Sequence, residues 1–326
     1  MTVLVTGAAG FIGFHTSLAL LDRGEEVVGV DNVNDYYDVS LKEARLKILS
    51  ERDGFVFERI DIAERDAVEK LIGQHGDITR VVQLAAQAGV RHSLVDPYAY
   101  TRANVEGQLV LLECCRGLEG LEHFVFASSS SVYGGNTKLP FSVTDPVDMP
   151  LSLYGASKRS MELISHAHAH VYGMPLTGLR FFTVYGPWGR PDMAAFIFIR
   201  KILAGEPIPV FNNGDMSRDF TYIDDIVAGV TACLDKPPTA GGGEPPFRLY
   251  NIGNSTSEPL MRFISILEET LGKKAEIDFQ PMQTGDVKET FADIDETRRD
   301  FGFDPKTKID DGLPRLVAWY RDYYGA

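Results

Sequence analysis

Thr2-Val3-Leu4-Val5-Thr6-Gly7-Ala8-Ala9-Gly10-Phe11-Ile12-Gly13 opens the chain. A short apolar strand runs straight into a Gly-x-x-Gly-x-x-Gly turn, and a helical pattern follows. Gly7 lets the backbone turn tightly, Gly10 removes a side chain where a pyrophosphate must approach, and Gly13 lets the helix pack closely. Free N–H groups at the helix start then face the phosphates. Working outward, the next apolar run, Glu26 to Asp31, ends in a carboxylate about two dozen residues after the first glycine. A carboxylate there accepts both hydroxyls of an adenosine ribose and repels a 2′-phosphate, which favours NAD over NADP.

The alternation continues. Apolar runs near residues 55–59, 80–85 and 123–128, with helical periodicity between most of them, predict an α/β fold. This is the pattern of a Rossmann-type doubly wound parallel sheet. A long helix is expected from Pro97 to Arg116, and a last strand, Pro175 to Phe181, is expected to complete the sheet. After residue 182 the chain becomes turn-rich, at Pro187-Trp-Gly-Arg-Pro191, Gly205-Glu-Pro-Ile-Pro209 and Asn212-Asn-Gly-Asp215. The expected division is therefore 1–181 for the cofactor domain and 182–326 mainly for a smaller α/β substrate lobe, with some chain crossing back.

Composition narrows the function. The 326 residues carry 32 Lys+Arg against 46 Asp+Glu, a net charge of −14. Such a chain is poorly suited to nucleic acid or anionic membranes, and an anionic substrate must be held by a few local basic residues. The adjacent Cys114 and Cys115 are unsuited to bridging each other, the first strand begins at Thr2, and no apolar run is long enough to span a bilayer. A reduced, cytoplasmic setting is the expectation. His166, His168 and His170 do not make a metal site, since only His166 and His170 share a helical face.

Chemistry concentrates in two segments. Tyr154-Gly-Ala-Ser-Lys158 puts a phenol and an ammonium on one helix face, where the cation favours the phenolate and makes a base. Phe124-Val-Phe-Ala-Ser128-Ser-Ser-Ser131 reads as a strand ending in four hydroxyls at the cleft edge. Residues two apart share a strand face, so Ser129 and Ser131 are expected to point the same way, one of them bonding the reacting hydroxyl. A dinucleotide site beside an activated tyrosine implies hydride chemistry at a carbinol carbon. By position, Asp61 and Ile62 are expected near the adenine. Leu84, Ala85, Ala86 and Gln87 follow the fourth run and present small residues to the cofactor, and Asn104 lies in the long helix.

The glycine turn, the serines before Val132-Tyr133-Gly134, and Tyr154/Lys158 resemble the extended short-chain dehydrogenase/reductase family (NAD-dependent epimerases and dehydratases), over essentially the whole chain. Three stretches, Asp31 to Arg45, Ala86 to Arg91 and Arg180 to Asp192, resemble its UDP-glucuronate 4-epimerases. Related dehydratases carry Thr-Asp-Glu where this chain has Ser129-Ser130-Ser131, and related decarboxylases a Glu at Ser131, so both of those reactions lose their acid or base. Gln83 stands where many relatives have His, and no role is assigned to it. The resemblance implies reversible C4 inversion of a UDP-linked uronic acid through a 4-keto sugar, with NAD tightly held by Gly7, Gly10, Phe11, Ile12, Gly13, Asp31, Asn32, Tyr154, Lys158 and the residues above. It places Thr183 and Arg190 on the sugar carboxylate, with Arg91 a second candidate and Ser129, Ser130 and Phe182 nearby. It places Phe211 on the uracil, Arg218 on the phosphates, and Gln283 and Asp286 near the UDP ribose. It also implies a homodimer formed through the helix around residues 98–116 and the helix that carries His166, His168 and His170. Two other readings stay open: epimerisation of a neutral sugar such as UDP-glucose, and a non-catalytic NAD-sensing module.

Overall fold

The computed structural model describes residues 1–283 and 285–326. Seven parallel strands form the main sheet: β1 (Thr2–Thr6), β2 (Glu26–Asp31), β3 (Phe55–Arg59), β4 (Ile78–Gln83), β5 (His123–Ser129), β6 (Leu176–Phe181) and a last strand, Phe247–Ile252. Their order across the sheet is Phe247–Ile252, β6, β5, β4, β1, β2, β3. The sequence reverses direction between β1 and β4, and in such sheets a cleft opens there at the strands' C-terminal ends. β6 was expected to complete the sheet, but Phe247–Ile252 returns beyond it and pairs along its whole length, Phe247 opposite Leu176 to Ile252 opposite Phe181. Its short run, Phe247-Arg-Leu-Tyr-Asn-Ile252, follows the Pro/Gly-rich stretch Lys236 to Pro246 and lies in the turn-rich half of the chain that was expected to form mainly the other lobe.

Both sheet faces are covered, which explains the near-continuous apolar strands. Within β1, Val3 and Val5 face one core while Leu4 faces the other, as a period of two requires. The first core takes Phe14 and Leu20 from helix α1 (Phe11–Asp22) and Val227 and Val230 from the helix Ile223–Leu234. The second takes Leu71, Leu111 and Met161 from the helices Arg65–Gln74, Gly107–Cys115 and Leu153–Tyr172.

Two local departures matter for the site. β4 ends at Gln83, two residues earlier than expected, because the chain then folds over the end of β1: Leu84 N–H donates to the Thr6 carbonyl and Ala85 N–H to Thr6 Oγ1, each at 3.2 Å. The expected helix Pro97–Arg116 is broken into Pro97–Tyr100, a π-helical turn Thr101–Glu106 and Gly107–Cys115. Asn104 sits in that widened turn, a feature common beside functional sites. The rest of the chain adds three two-stranded ladders, Thr183–Tyr185 with Phe220–Tyr222, Ile208–Val210 with Ile277–Phe279, and Ser217–Arg218 with Glu258–Pro259. No helix among the described residues is long and apolar enough to cross a membrane.

Candidate active site

One cleft of about 870 Å³ runs from the glycine turn to Arg218 and Asp286. It is lined by every expected site residue except Asn104 and Gln283.

At the dinucleotide end, Gly7 adopts φ +73, and a Cβ on Gly13 would stand 2.0 Å from the Gly7 carbonyl. Gly13 is therefore required by the turn itself, against which the first helical turn packs. Gly10 caps α1 with no side-chain hydrogen bond, so the helix start presents backbone donors to the cleft. At the end of β2, Asp31 accepts N–H groups from Ala9 (3.1 Å) and Val33 (2.8 Å). Burial pushes its carboxyl up, while those N–H groups and the nearby Lys42 and Arg45 oppose the shift. A carboxylate keeps further lone pairs for ribose hydroxyls. Lys42 is not free to receive a 2′-phosphate, because its Nζ is held at 2.7 Å by both the carbonyl and Oδ1 of Asn34. These residues fit NAD.

Asn104 does not line the cleft. It is buried behind the wall, where its Oδ1 accepts Gln87 N–H at 2.8 Å and its Nδ2 donates to the Gln87 carbonyl and to Ser157 Oγ. It shapes the cofactor side through Gln87. Gln83 is fully buried and donates to the Ala85 carbonyl at 3.0 Å, which bends the chain leaving β4.

The catalytic end corrects two expectations. β5 stops at Ser129, and Ser130–Tyr133 is a 3₁₀ turn whose Ser131 N–H is capped by Ser129 Oγ at 3.2 Å. Ser129 and Ser131 are thus not strand neighbours sharing a face; a hydroxyl that can cap a following N–H ends the strand instead. Of the two serines, Ser129 is the one whose hydroxyl bears on the Tyr154 phenol. Burial pushes that phenol up, and the Ser129 hydrogen bond and the Arg190 charge work against it. Lys158, expected to be the cation acting on Tyr154, donates instead to the Ala127 carbonyl at 2.8 Å. Buried almost completely, it is pulled down to about 7, with Glu162 opposing.

Glu162, one helical turn beyond Lys158, anchors the floor of the site. It accepts Ser128 Oγ at 2.6 Å and a two-point pair from Arg180 at 2.8 and 2.9 Å. The i+4 spacing from Lys158 was the available signal for it. Tyr100 stacks edge-on against Tyr154 at 6.0 Å and donates to the carbonyls of Ala88 and Gly89.

Further out, Thr183 and Phe182 line the cleft beside Arg190. Arg190 is paired with Asp192, and Tyr36 closes over both; neither partner was singled out from the sequence, although both lie in stretches that carry the resemblance. At the far end Arg218 donates to Asp286 Oδ1 at 2.6 Å. Arg91, expected as a second carboxylate contact, stands here instead, its guanidinium 4.4 Å over the Phe211 ring and 3.9 Å from Asp286. An arginine stacks readily on an aromatic face. Gln283 lies outside the cleft, and its carbonyl accepts the Asp286 N–H.

The arrangement offers a glycine-turn bed suited to a dinucleotide, a tyrosine beside a serine, a buried lysine, and a second basic end suited to a diphosphate. Comparison with known proteins agrees. UDP-glucuronate 4-epimerase 1 of Arabidopsis thaliana is 49% identical over 335 residues, covering 100% of this chain and 78% of that protein. Protein CapI of Staphylococcus aureus is 46% identical, covering 99% of each. The crystal structure of UDP-glucuronic acid 4-epimerase from Bacillus cereus, in complex with UDP-glucuronic acid and NAD, superposes with a TM-score of 0.92 at 36% identity, covering 99% of this chain and 100% of that one. Residues 3–253 match the NAD dependent epimerase/dehydratase family, and the chain belongs to it.

Proposed function

We propose that this protein interconverts UDP-glucuronate and UDP-galacturonate by inverting the sugar at C4. The observation that carries this reading is one cleft holding both the Tyr154–Ser129 pair and Arg190. Tyr154, as phenolate, takes the proton from the C4 hydroxyl, with Ser129 hydrogen-bonding the same oxygen. NAD⁺, held by the glycine turn and Asp31, would supply a reversible hydride acceptor at C4, so that inversion there needs no net oxidation. The buried Lys158 ammonium keeps positive charge beneath this end of the cleft.

The 4-keto uronate is a β-keto acid and tends to lose carbon dioxide. Arg190 and Thr183 hold the carboxylate so that the breaking C5–C6 bond does not align with the ketone. Ser130 and Phe182 complete that wall. Arg218 and Arg91 bind the diphosphate end, with Phe211 against the base and Asp286 near the ribose. Apolar residues exposed on the helices that flank the π turn and on Leu153–Tyr172, among them Tyr98, Leu109, Leu163 and Val171, support a homodimer joined through those helices. We place the protein in the cytoplasm.

The test is incubation with UDP-glucuronate and no added NAD, followed by proton NMR. UDP-galacturonate growing to a stable mixture is expected. A UDP-pentose alone would make the protein a decarboxylase, and turnover of UDP-glucose alone would favour the neutral-sugar reading. A biological role that survives Tyr154→Phe would favour the sensor.

A further inference from the structure

Arg45 ends the Asp31–Arg45 stretch, and nothing in the proposed reaction uses it. Its side chain is fully buried in helix α2 (Val39–Ser50). Nη1 donates to the Ala9 carbonyl and to the Tyr37 hydroxyl, each at 2.7 Å. Nη2 donates to the carbonyls of Trp188 (2.6 Å) and Gly189 (3.2 Å). Nε has no partner among the described residues. A buried guanidinium usually meets a carboxylate; here its acceptors are three backbone carbonyls and a phenol.

Those carbonyls belong to the two ligand loops. Ala9 lies in the glycine turn, and its N–H is the one Asp31 accepts. Trp188 and Gly189 immediately precede Arg190. A second tie runs in parallel, since His15 of α1 donates through Nε2 to the Pro187 carbonyl at 3.0 Å. Three successive carbonyls of the 187–189 loop therefore point at the dinucleotide half. Trp188 holds a left-handed φ of 60, which a bulky residue adopts only under constraint. Its ring is wedged between Phe14 of α1 (5.5 Å) and Trp319 (5.1 Å).

We propose that Arg45 is a positioning residue that couples the dinucleotide turn to the loop carrying Arg190, so that NAD binding and uronate binding reinforce each other. The planar fork suits this role because one guanidinium bonds both loops at once, whereas an ammonium has a single centre. This inference rests on the uronate role proposed for Arg190.

The experiment is a linkage cycle in a Tyr154→Phe background, which prevents turnover. UDP-glucuronate affinity is measured by calorimetry on protein stripped of retained NAD, with and without NAD⁺ added back, in the parent, Arg45→Lys and Arg45→Met. The parent is expected to bind the uronate about tenfold more tightly with NAD⁺, a factor within the usual range of coupling between sites. Arg45→Lys keeps the charge but cannot span both loops, and should reduce that factor to about twofold or less. A brace that only stabilises the fold would leave the factor intact. An unchanged factor in Arg45→Lys, or none in the parent, overturns the proposal; Arg45→Lys decides if Arg45→Met does not fold. If the unmutated protein makes no UDP-galacturonate, the uronate reading has failed separately. The same cycle with UDP-glucose then decides whether Arg45 couples the loops.

Discussion

Arg190 and Asp192 meet in a two-point ion pair, Nε to Oδ1 at 3.0 Å and Nη2 to Oδ2 at 2.5 Å, within the cleft that holds Tyr154. Tyr36 donates to the same Oδ2 at 3.1 Å, and the guanidinium lies 5.7 Å from its ring. Burial works against the Asp192 carboxylate, yet Arg190 and Tyr36 hold it below the usual carboxylate range. Asp192 thus occupies the planar face that a sugar carboxylate needs on Arg190. Asp192→Asn should free that face but loosen its aim. KM for UDP-glucuronate is expected to fall and kcat to fall with it, while KM for UDP-glucose stays put. A higher uronate KM would mean that Asp192 orients Arg190 without competing for it. Arg190→Ala should lower kcat/KM for UDP-glucuronate by roughly tenfold to a hundredfold, the worth of a charge-assisted hydrogen bond.

The Tyr154–Ser129 contact makes a pH prediction. Burial raises the phenol and Ser129 opposes the rise, so Ser129→Ala should raise it further. The base form then appears at higher pH, and the rising limb of the kcat profile should move to the alkaline side. Tyr154→Phe should cost about a hundredfold to ten-thousandfold. Rapid-mixing rates across pH check both, and an unmoved limb in Ser129→Ala would reassign the serine contact.

The fold was legible because six of the seven strands of the main sheet announced themselves by apolar runs, and β1, β2 and β3 fall where those runs predicted. The last sheet strand escaped because a sheet edge needs little local signal once its partner exists. The lining of the cleft was legible where chemistry is written in residue type, as at Tyr154, Asp31 and Arg218. It was not where geometry is tertiary. Nothing in the spacing of Ser129 and Ser131 says that a capping hydroxyl will end the strand between them. Likewise, Arg91 is drawn to Phe211 and Asp286, more than a hundred positions away in the chain.

Glu162 should govern the charge beneath Tyr154. Its carboxylate is the group that opposes the burial-driven fall of Lys158 to about 7. It also neutralises the buried Arg180. Glu162→Gln should pull Lys158 lower still, so that its ammonium is lost at a lower pH and the falling limb of activity moves to the acid side. Leaving Arg180 without its partner should cost about 3–5 kcal/mol of stability. Glu162→Asp, keeping the charge, should restore part of each. If the two variants share one pH profile, Glu162 acts on packing alone.

His123 supplies a stability test far from the ligands. It is fully buried at the start of β5, where a neutral ring donates through Nδ1 to the Leu234 carbonyl at 3.1 Å and accepts the Thr177 hydroxyl at Nε2 at 2.9 Å. Burial lowers it from 6.5 to about 4, against the Leu234 bond. As pH falls from about 6.5, the unfolded chain takes up this proton first, so the folded state loses stability until about pH 4, where both forms are charged. The loss from this one ring amounts to about 3 kcal/mol across that window. Urea unfolding in buffers at about pH 7, about pH 5.5 and about pH 4.5 should reveal the decline. His123→Asn keeps a donor for Leu234 but has no proton to gain, and its curve should be flatter by that amount. Parallel curves for the two proteins would mean that the ring titrates in the folded state without cost.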